Sequence, residues 1–284
     1  NYITAHGYGT DEKQFGANWP VDYHFIGKDI IRFHCVYWPA MLMSAGLEPP
    51  KGWAVGGWLL VGGEKMSKTT GNVVNPLDLI DEIGVDGFRY YVLADTNYGN
   101  DGDFSDDAFV RRVNSNLANE LGNLCQRTLS MVFKNCGKAV PEKVGPLTEQ
   151  DDALLASARG LRERAAVYIA SQAIHKYVET MIEMVWEANK YIDDMAPWSL
   201  KKTDTARMDT VLYVILEVLR HVAILYQPLI PKSANKILDQ LTVPKDERTF
   251  THLTDDYKIK YGTAINQPEG VFPRLDVQQP LPVL

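Results

Sequence analysis

Lys65 and Lys68 stand three residues apart in the stretch VGGEKMSKTTGNVVNP (Val61–Pro76), with hydroxyls at Ser67 and Thr69 and glycines at Gly62, Gly63 and Gly71. Breaking a polyphosphate bond needs cations where charge develops on the departing oxygens. Lysine is a point charge on a flexible stem and suits a non-bridging phosphate oxygen. The glycines allow such a loop to open and close over a ligand. A Lys-x-x-Lys spacing alone is equally what a solvated surface turn carries, so its surroundings must decide.

Further residues could do chemistry. Asp29 follows the strand-like FIG of FIGKDI (Phe25–Ile30), where the carboxyl end of an α/β sheet opens a ligand crevice. Its carboxylate could accept from ribose hydroxyls or cap the helix that follows, and Gly27 would let a nucleotide approach the backbone. Ile30 and His34 are four apart and share a helix face; a histidine there is more often structural than functional. Asn123 and Arg127 repeat that spacing further on, either as a solvated face or as readers of base edges. Trp198 after Pro197 reads two ways, as core packing or as an exposed ring on which a base stacks.

These residues must be positioned by folded elements. With 45% hydrophobic and 23% charged residues in 284, the composition is globular. A net charge of −7 argues against a general nucleic-acid coat but permits a local RNA site. Cys35, Cys125 and Cys136 form no C-x-x-C pair, so neither a zinc site nor a disulfide framework is indicated. No apolar run approaches a membrane span, and no signal peptide opens the chain. Its first residue is Asn1, which reads as a piece of a longer protein.

The first third predicts a strand (Tyr23–Gly27), a helix closing on glycine (Ile30–Gly46) and a buried strand (Trp53–Val61), a β-α-β unit with a parallel sheet. No G-x-G-x-x-G follows either strand, so this is no ordinary dinucleotide fold. Beyond residue 106 the chain reads as almost entirely helical. Asp106–Lys134 has Ser105 as N-cap, and Arg162–Asp193 carries the stripe Ala166, Ile169, Ala173, Tyr177, Met181, Val185 and Ala188. Thr210–Tyr226 is apolar around its girth and should be the central helix, followed by Ser233–Leu241 and an irregular tail that straps back to the core.

KMSKTTGNVVNP resembles the K-M-S-K-S signature of class I aminoacyl-tRNA synthetases, with Thr69 in place of the usual serine. DYHFIGKDIIRFHCVYWPAMLMSAG (Asp22–Gly46), GNDGDFS (Gly99–Ser105), LANELGNLCQR (Leu117–Arg127) and DDMAPW (Asp193–Trp198) narrow the resemblance to the methionyl-tRNA synthetases, over nearly the whole chain. It implies the second half of a class I Rossmann-like α/β nucleotide-binding domain, followed by an all-α anticodon-binding helix bundle. The implied segments are 1–64 for the catalytic part, 65–105 for the K-M-S-K-S loop and stem contact, and 106–284 for the helical domain and tail.

The resemblance implies ATP-dependent activation of L-methionine and its transfer to tRNA(Met), in the cytoplasm. ATP enters with Mg2+ as a substrate complex, no zinc site belongs to this chain, and the protein is a monomer that meets no membrane. Lys68 would meet the phosphates and Lys65 steady the loop. Gly27, Asp29, Trp58, Leu59 and Ser67 would complete the ATP site; Tyr2, Ile30 and His34 would line the methionine slot; Asn123, Arg127, Pro197 and Trp198 would read the anticodon. Arg111 and Arg112 face either RNA phosphates or solvent. Two departures stand out. Gly56-Gly57-Trp58 replaces the usual His-Gly-aromatic, and the H-I-G-H motif with the first half of the nucleotide fold is missing. That leaves an RNA-binding module without catalysis, or a ligase for another aliphatic amino acid, as competing readings.

Overall fold

The computed structural model describes residues 1–67, 69 and 71–275. They form two compact units, Asn1–Met66 with Thr96–Phe104, and Ser67–Asp95 with the chain from Ser105 onward.

In the first unit, α1 (Tyr2–Ala5) and α2 (Glu12–Asn18) precede β1 (His24–Gly27). A 3-10 turn, a wide π-helical stretch (Arg32–Tyr37) and α3 (Trp38–Ser44) lead to β2 (Trp53–Gly56). Gly46, at φ +74°, lets the chain leave α3. β1 and β2 pair in parallel, from His24 opposite Trp53 to Gly27 opposite Gly56, the β-α-β unit expected from the sequence.

The expected buried strand Trp53–Val61 is instead two strands in two sheets. β3 (Leu59–Val61) pairs antiparallel with β4 (Glu64–Lys65) and parallel with β5 (Gly102–Phe104). The break falls at Gly57, where a Cβ would lie 2.0 Å from the Asn100 carbonyl oxygen. Trp58 is then captured by the later segment, its carbonyl accepting from Gly102 N–H at 2.9 Å. β3 is also half open to solvent, since it has no sheet face packed on both sides.

The second unit is helical. α4 (Pro76–Ile83) starts on the Asn75 side chain, which accepts from Leu77 N–H, and α5 (Val85–Asp95) follows. α6 (Asp106–Arg112) begins where Ser105 Oγ accepts from Ala108 N–H, as expected, and runs through a π-helical stretch (Val113–Gly122) into α7 (Asn123–Asn135). Then come α8 (Glu149–Arg159), α9 (Leu161–Ala170), α10 (Ile174–Met195), α11 (Pro197–Thr203), α12 (Thr205–Tyr226) and α13 (Pro231–Gln240).

Arg162–Asp193 is therefore two helices. Gln172, at φ +62°, turns the chain between them. Ala166 and Ile169 face solvent, whereas Tyr177, Met181, Val185 and Ala188 are buried. α12 is buried on every side from Thr210 to Tyr226, as its apolar girth requires. The charged residues inside it are paired: Arg220 Nε donates to the Glu217 carboxylate at 3.1 Å, and Arg220 Nη1 to the His252 carbonyl at 2.6 Å. Burial pushes the Glu217 carboxyl up, but hydrogen bonds from His221 and Arg220 outweigh it and hold the group below its ordinary range. Glu217 also accepts from Ile259 N–H at 3.1 Å, which straps the tail to the core. The described tail ends with Leu275 exchanging two hydrogen bonds with the Asn114 side chain.

Asp151 closes the α8 capping box with Thr148 and is wholly buried. It accepts from Arg207 Nη2 at 2.8 Å and from the Tyr191 hydroxyl. Burial pushes this carboxyl up, but Arg207, Tyr191 and the Thr148 N–H hold it at about 2. A depressed carboxyl contributes stability that is complete above its unfolded value of 3.8 and is lost as pH falls through about 2. The contribution is about 2 kcal/mol. Asp151→Asn should lower stability at neutral pH and flatten the pH dependence between 4 and 2. Denaturant unfolding across that range checks it, and an unchanged slope would rule the assignment out.

Candidate functional site

In the first unit most of the residues singled out from the sequence fall in two clusters, joined along the chain from Gly27 to Ile30. Tyr2 Oη lies 2.9 Å from His34 Nε2, and His34 Nδ1 lies 3.1 Å from the Ile30 carbonyl oxygen. A carbonyl only accepts, so Nδ1 carries the proton in the neutral ring and Nε2 accepts from the tyrosine hydroxyl. The Tyr2 ring meets His24 edge-on at 4.6 Å and Trp38 at 6.0 Å. His24 is buried, and its Nε2 has no hydrogen-bond partner among the described residues. Burial, then His34 and His6, push its pKa down, so it stays neutral. The result is an aromatic cluster around a neutral His24, suited to an unbranched thioether.

Asp29, one residue before Ile30, is exposed, and none of the helical turns that follow takes a cap from it. Its carboxylate instead lies across Gly27, where a Cβ would be 2.7 Å from Asp29 Oδ1. Lys28 pairs with Asp101, which also accepts from Trp58 N–H at 2.8 Å. The hydrogen bonds from Lys28 and then Trp58 hold the Asp101 carboxyl below its usual range. Lys65 extends from β4 with its Nζ 3.5 Å from the centre of the Trp58 ring, and Lys28 Nζ stands 5.8 Å from it. Leu59 is exposed beside this group. Two cations, a carboxylate and an indole thus gather where β1 and β2 end.

Ser67 belongs to the second unit, where its N–H donates to Asn72 Oδ1 at 2.8 Å and its carbonyl accepts from Gly71 N–H. Lys68 lies outside the described residues. Among those residues no group of three His, Cys, Asp or Glu side chains could hold a metal ion, and no helix is long and apolar enough to cross a membrane.

The second unit brings the remaining candidates to one face. Arg127 of α7 donates from Nη1 to Asp193 Oδ1 at 2.7 Å and from Nη2 to Asn189 Oδ1 at 3.1 Å, both on α10. Its guanidinium is 5.8 Å from the Trp198 ring, which is 43% exposed. Asn123 is exposed one turn before Arg127. Pro197 is buried at the start of α11 after Ala196 in the left-handed region, so it sets the turn that presents Trp198 and offers no surface itself. Arg112 is committed to Asp95 at 3.2 Å, while Arg111 is exposed.

The profile described as "tRNA synthetases class I (M)" matches residues 1–129, and "Anticodon binding domain of methionyl tRNA ligase" matches residues 140–280. The chain belongs to the methionyl-tRNA synthetase family. It is 51% identical over 280 residues to the methionine–tRNA ligase of Mesorhizobium japonicum, covering 99% of this chain and 54% of the relative. It is 50% identical to that of Rhizobium meliloti, covering 96% of this chain and 53% of the relative. The Mycobacterium tuberculosis methionyl-tRNA synthetase in complex with methionyl-adenylate superposes with a TM-score of 0.92 at 48% identity, over 96% of this chain and 54% of that one. The chain spans about half the length of the curated relatives it matches.

Several residues of these clusters escaped the sequence reading. Trp38 continues the Ile30–His34 spacing by one more turn, a signal that was available. Lys28, Asp101, Asn189 and Asp193 act through partners distant in sequence, which no local pattern shows.

Gly56, where the resemblance expects histidine, meets only the Ile26 carbonyl at 3.8 Å if given a Cβ, in contrast to Gly57. Gly56→Ala should therefore be tolerated, whereas Gly57→Ala must push the 100–101 backbone away from β3, at about 1–3 kcal/mol or more. Thermal unfolding of the two variants separates them; equal midpoints would mean that Gly57 is not the point of close approach.

Proposed function

We propose that this chain is part of a methionine–tRNA ligase that activates L-methionine with ATP and transfers it to tRNA(Met). What carries the reading is a pair of clusters in the first unit, Tyr2–His34–Ile30 and Lys28–Asp101–Trp58–Lys65, joined along the chain from Gly27 to Ile30. An aromatic slot beside a cationic, carboxylate-bearing crevice fits an amino acid held next to a nucleotide.

In the reaction a methionine carboxylate oxygen attacks the α-phosphorus of ATP, and the bond to pyrophosphate breaks. The electron pair leaves on pyrophosphate, where Lys68 and Lys65 act as counter-charges, with Ser67 as a hydroxyl donor. Mg2+ arrives with ATP as part of the substrate. Asp29 accepts from the ribose, Gly27 gives the nucleotide access, and Trp58 and Leu59 flank the adenine. Tyr2, Ile30 and His34 hold the methionine side chain, and a terminal hydroxyl of tRNA then takes the methionyl group from the adenylate. Asn123, Arg127 and Trp198 read the anticodon on the turn set by Pro197. Segments 1–64, 65–105 and 106–284 serve as catalytic part, loop with stem contact, and anticodon-binding part. The ligase works in the cytoplasm as a monomer.

ATP–pyrophosphate exchange by the complete polypeptide, dependent on methionine and not on leucine or valine, tests the activity; exchange driven by another amino acid would overturn it. Lys68→Ala should slow that exchange by about a hundredfold or more, with methionine affinity nearly unchanged. A variant exchanging at the parent rate would remove Lys68 from the phosphate site.

Trp198→Ala should raise the tRNA concentration needed for charging by about 5- to 150-fold, the worth of one stacked base. Exchange, which needs no tRNA, should stay as in the parent. Because the ring is 43% exposed, the melting temperature should move little. Joint loss of exchange, charging and thermal stability would instead identify a packing residue.

A further inference from the structure

The Trp58 backbone is held on both sides in the first unit. Its N–H donates to Asp101 and its carbonyl accepts from Gly102 N–H, so the segment after Asn100 fixes the residue from both sides. Lys65 is held differently. It sits beyond a tight turn in which Gly62 and Gly63 have φ of +63° and +79°, on a β4 of only two residues. In the β3–β4 ladder Lys65 pairs with Leu60, two residues after Trp58. The lysine therefore reaches the indole along the cross-strand diagonal, which long side chains can span. Its ammonium stands 3.5 Å from the ring centre, within cation–π range. Lys28 Nζ stands farther from the ring, at 5.8 Å, and pairs with Asp101.

We propose that the Trp58 indole is a parking face for the Lys65 ammonium in the nucleotide-free protein, and that an incoming adenine exchanges with it on that face. Trp58 thereby acts as a positioning residue for Lys65. The proposal rests on reading this crevice as the ATP site. Its physical basis is that both a cation and a nucleobase gain from the same π-face, and one face takes one occupant. Base binding then moves the cation off the ring, on a glycine-hinged turn, as a polyphosphate arrives. No covalent bond changes; the ammonium leaves the ring and the base takes its place.

The test uses the complete polypeptide labelled with 13C at lysine Cε. Ring current from the indole should shift the Lys65 Hε resonance upfield in the free protein. Trp58→Leu should abolish the shift and Trp58→Phe should keep part of it. Absence of the shift in the parent overturns the proposal. Adenosine, which has the base and no phosphate, should relieve the shift on binding. Lys65→Gln should tighten adenosine by about two- to fivefold, the worth of one exposed cation–π contact, while weakening ATP. Bound adenosine that leaves the shift in place, or an unchanged or weaker adenosine affinity in Lys65→Gln, overturns the exchange and leaves the ATP-site reading intact. If neither adenosine nor ATP binds and the shift is present, the ATP-site reading fails and the exchange falls with it.

Discussion

The Asp101 carboxylate is where three separate stretches of the first unit meet. It pairs with Lys28 at the end of β1 and accepts from the Trp58 N–H ahead of β3, and it directly precedes β5. An exposed ion pair alone is worth little. Here the carboxylate does something geometric: it holds a strand end, the Trp58 backbone and a lysine in register without a large core to do so. Gly57 makes that approach possible, since any side chain there would collide with the Asn100 backbone. The break that turns one apparent strand into β2 and β3 and the convergence on Asp101 are therefore one constraint.

The helical unit solves a comparable problem with buried charge. α12 carries Glu217 and Arg220 into its core, where removing either partner would leave an uncompensated ion. Because Glu217 also takes the Ile259 N–H and Arg220 the His252 carbonyl, the pair specifies where the tail lies. α5 uses the same device at the other end of α12. Asp86 accepts from Lys232 and Ser233 N–H at the start of α13, and Arg89 donates to the Pro228 and Leu229 carbonyls. Orphan groups at a helix start and at the preceding corner are satisfied by one neighbouring helix.

What could be read from the sequence follows from range. The β-α-β order, the Ser105 cap, the buried girth of α12 and the spacing of Ile30 and His34 are local, and the structure has them. The split at Gly57 was not legible, because its cause is Asn100. The break at Gln172 was missed because nothing in a continuous helical pattern marks a left-handed glutamine. α8 was missed although Thr148 and Asp151 stand at capping-box spacing, a signal present in the residues and passed over. In the candidate site, residue types were readable but their partners were not. Arg127 could be matched to Asn123 by spacing, yet its hydrogen bonds go to α10.

The proposed RNA face belongs to an acidic chain. With a net charge of −7, broad attraction to phosphates is not available to hold a nucleic acid. On the proposed reading, recognition then rests on a few groups kept in place before the RNA arrives, and Arg127 is the proposed one. Asp193 and Asn189 occupy its fork, and Asn189 is itself fixed by donating to the Glu120 carboxylate at 2.7 Å. Holding the guanidinium this way removes the rotamer entropy that a free arginine would lose on binding. It also sets a toll on any base that claims those donors, since a partner that cannot replace the Asp193 and Asn189 bonds leaves charged groups unpaired. The indole of Trp198 beside it accepts any base by its face. On the proposed reading, selectivity at this surface resides in the fork and its α10 acceptors, and affinity in the ring.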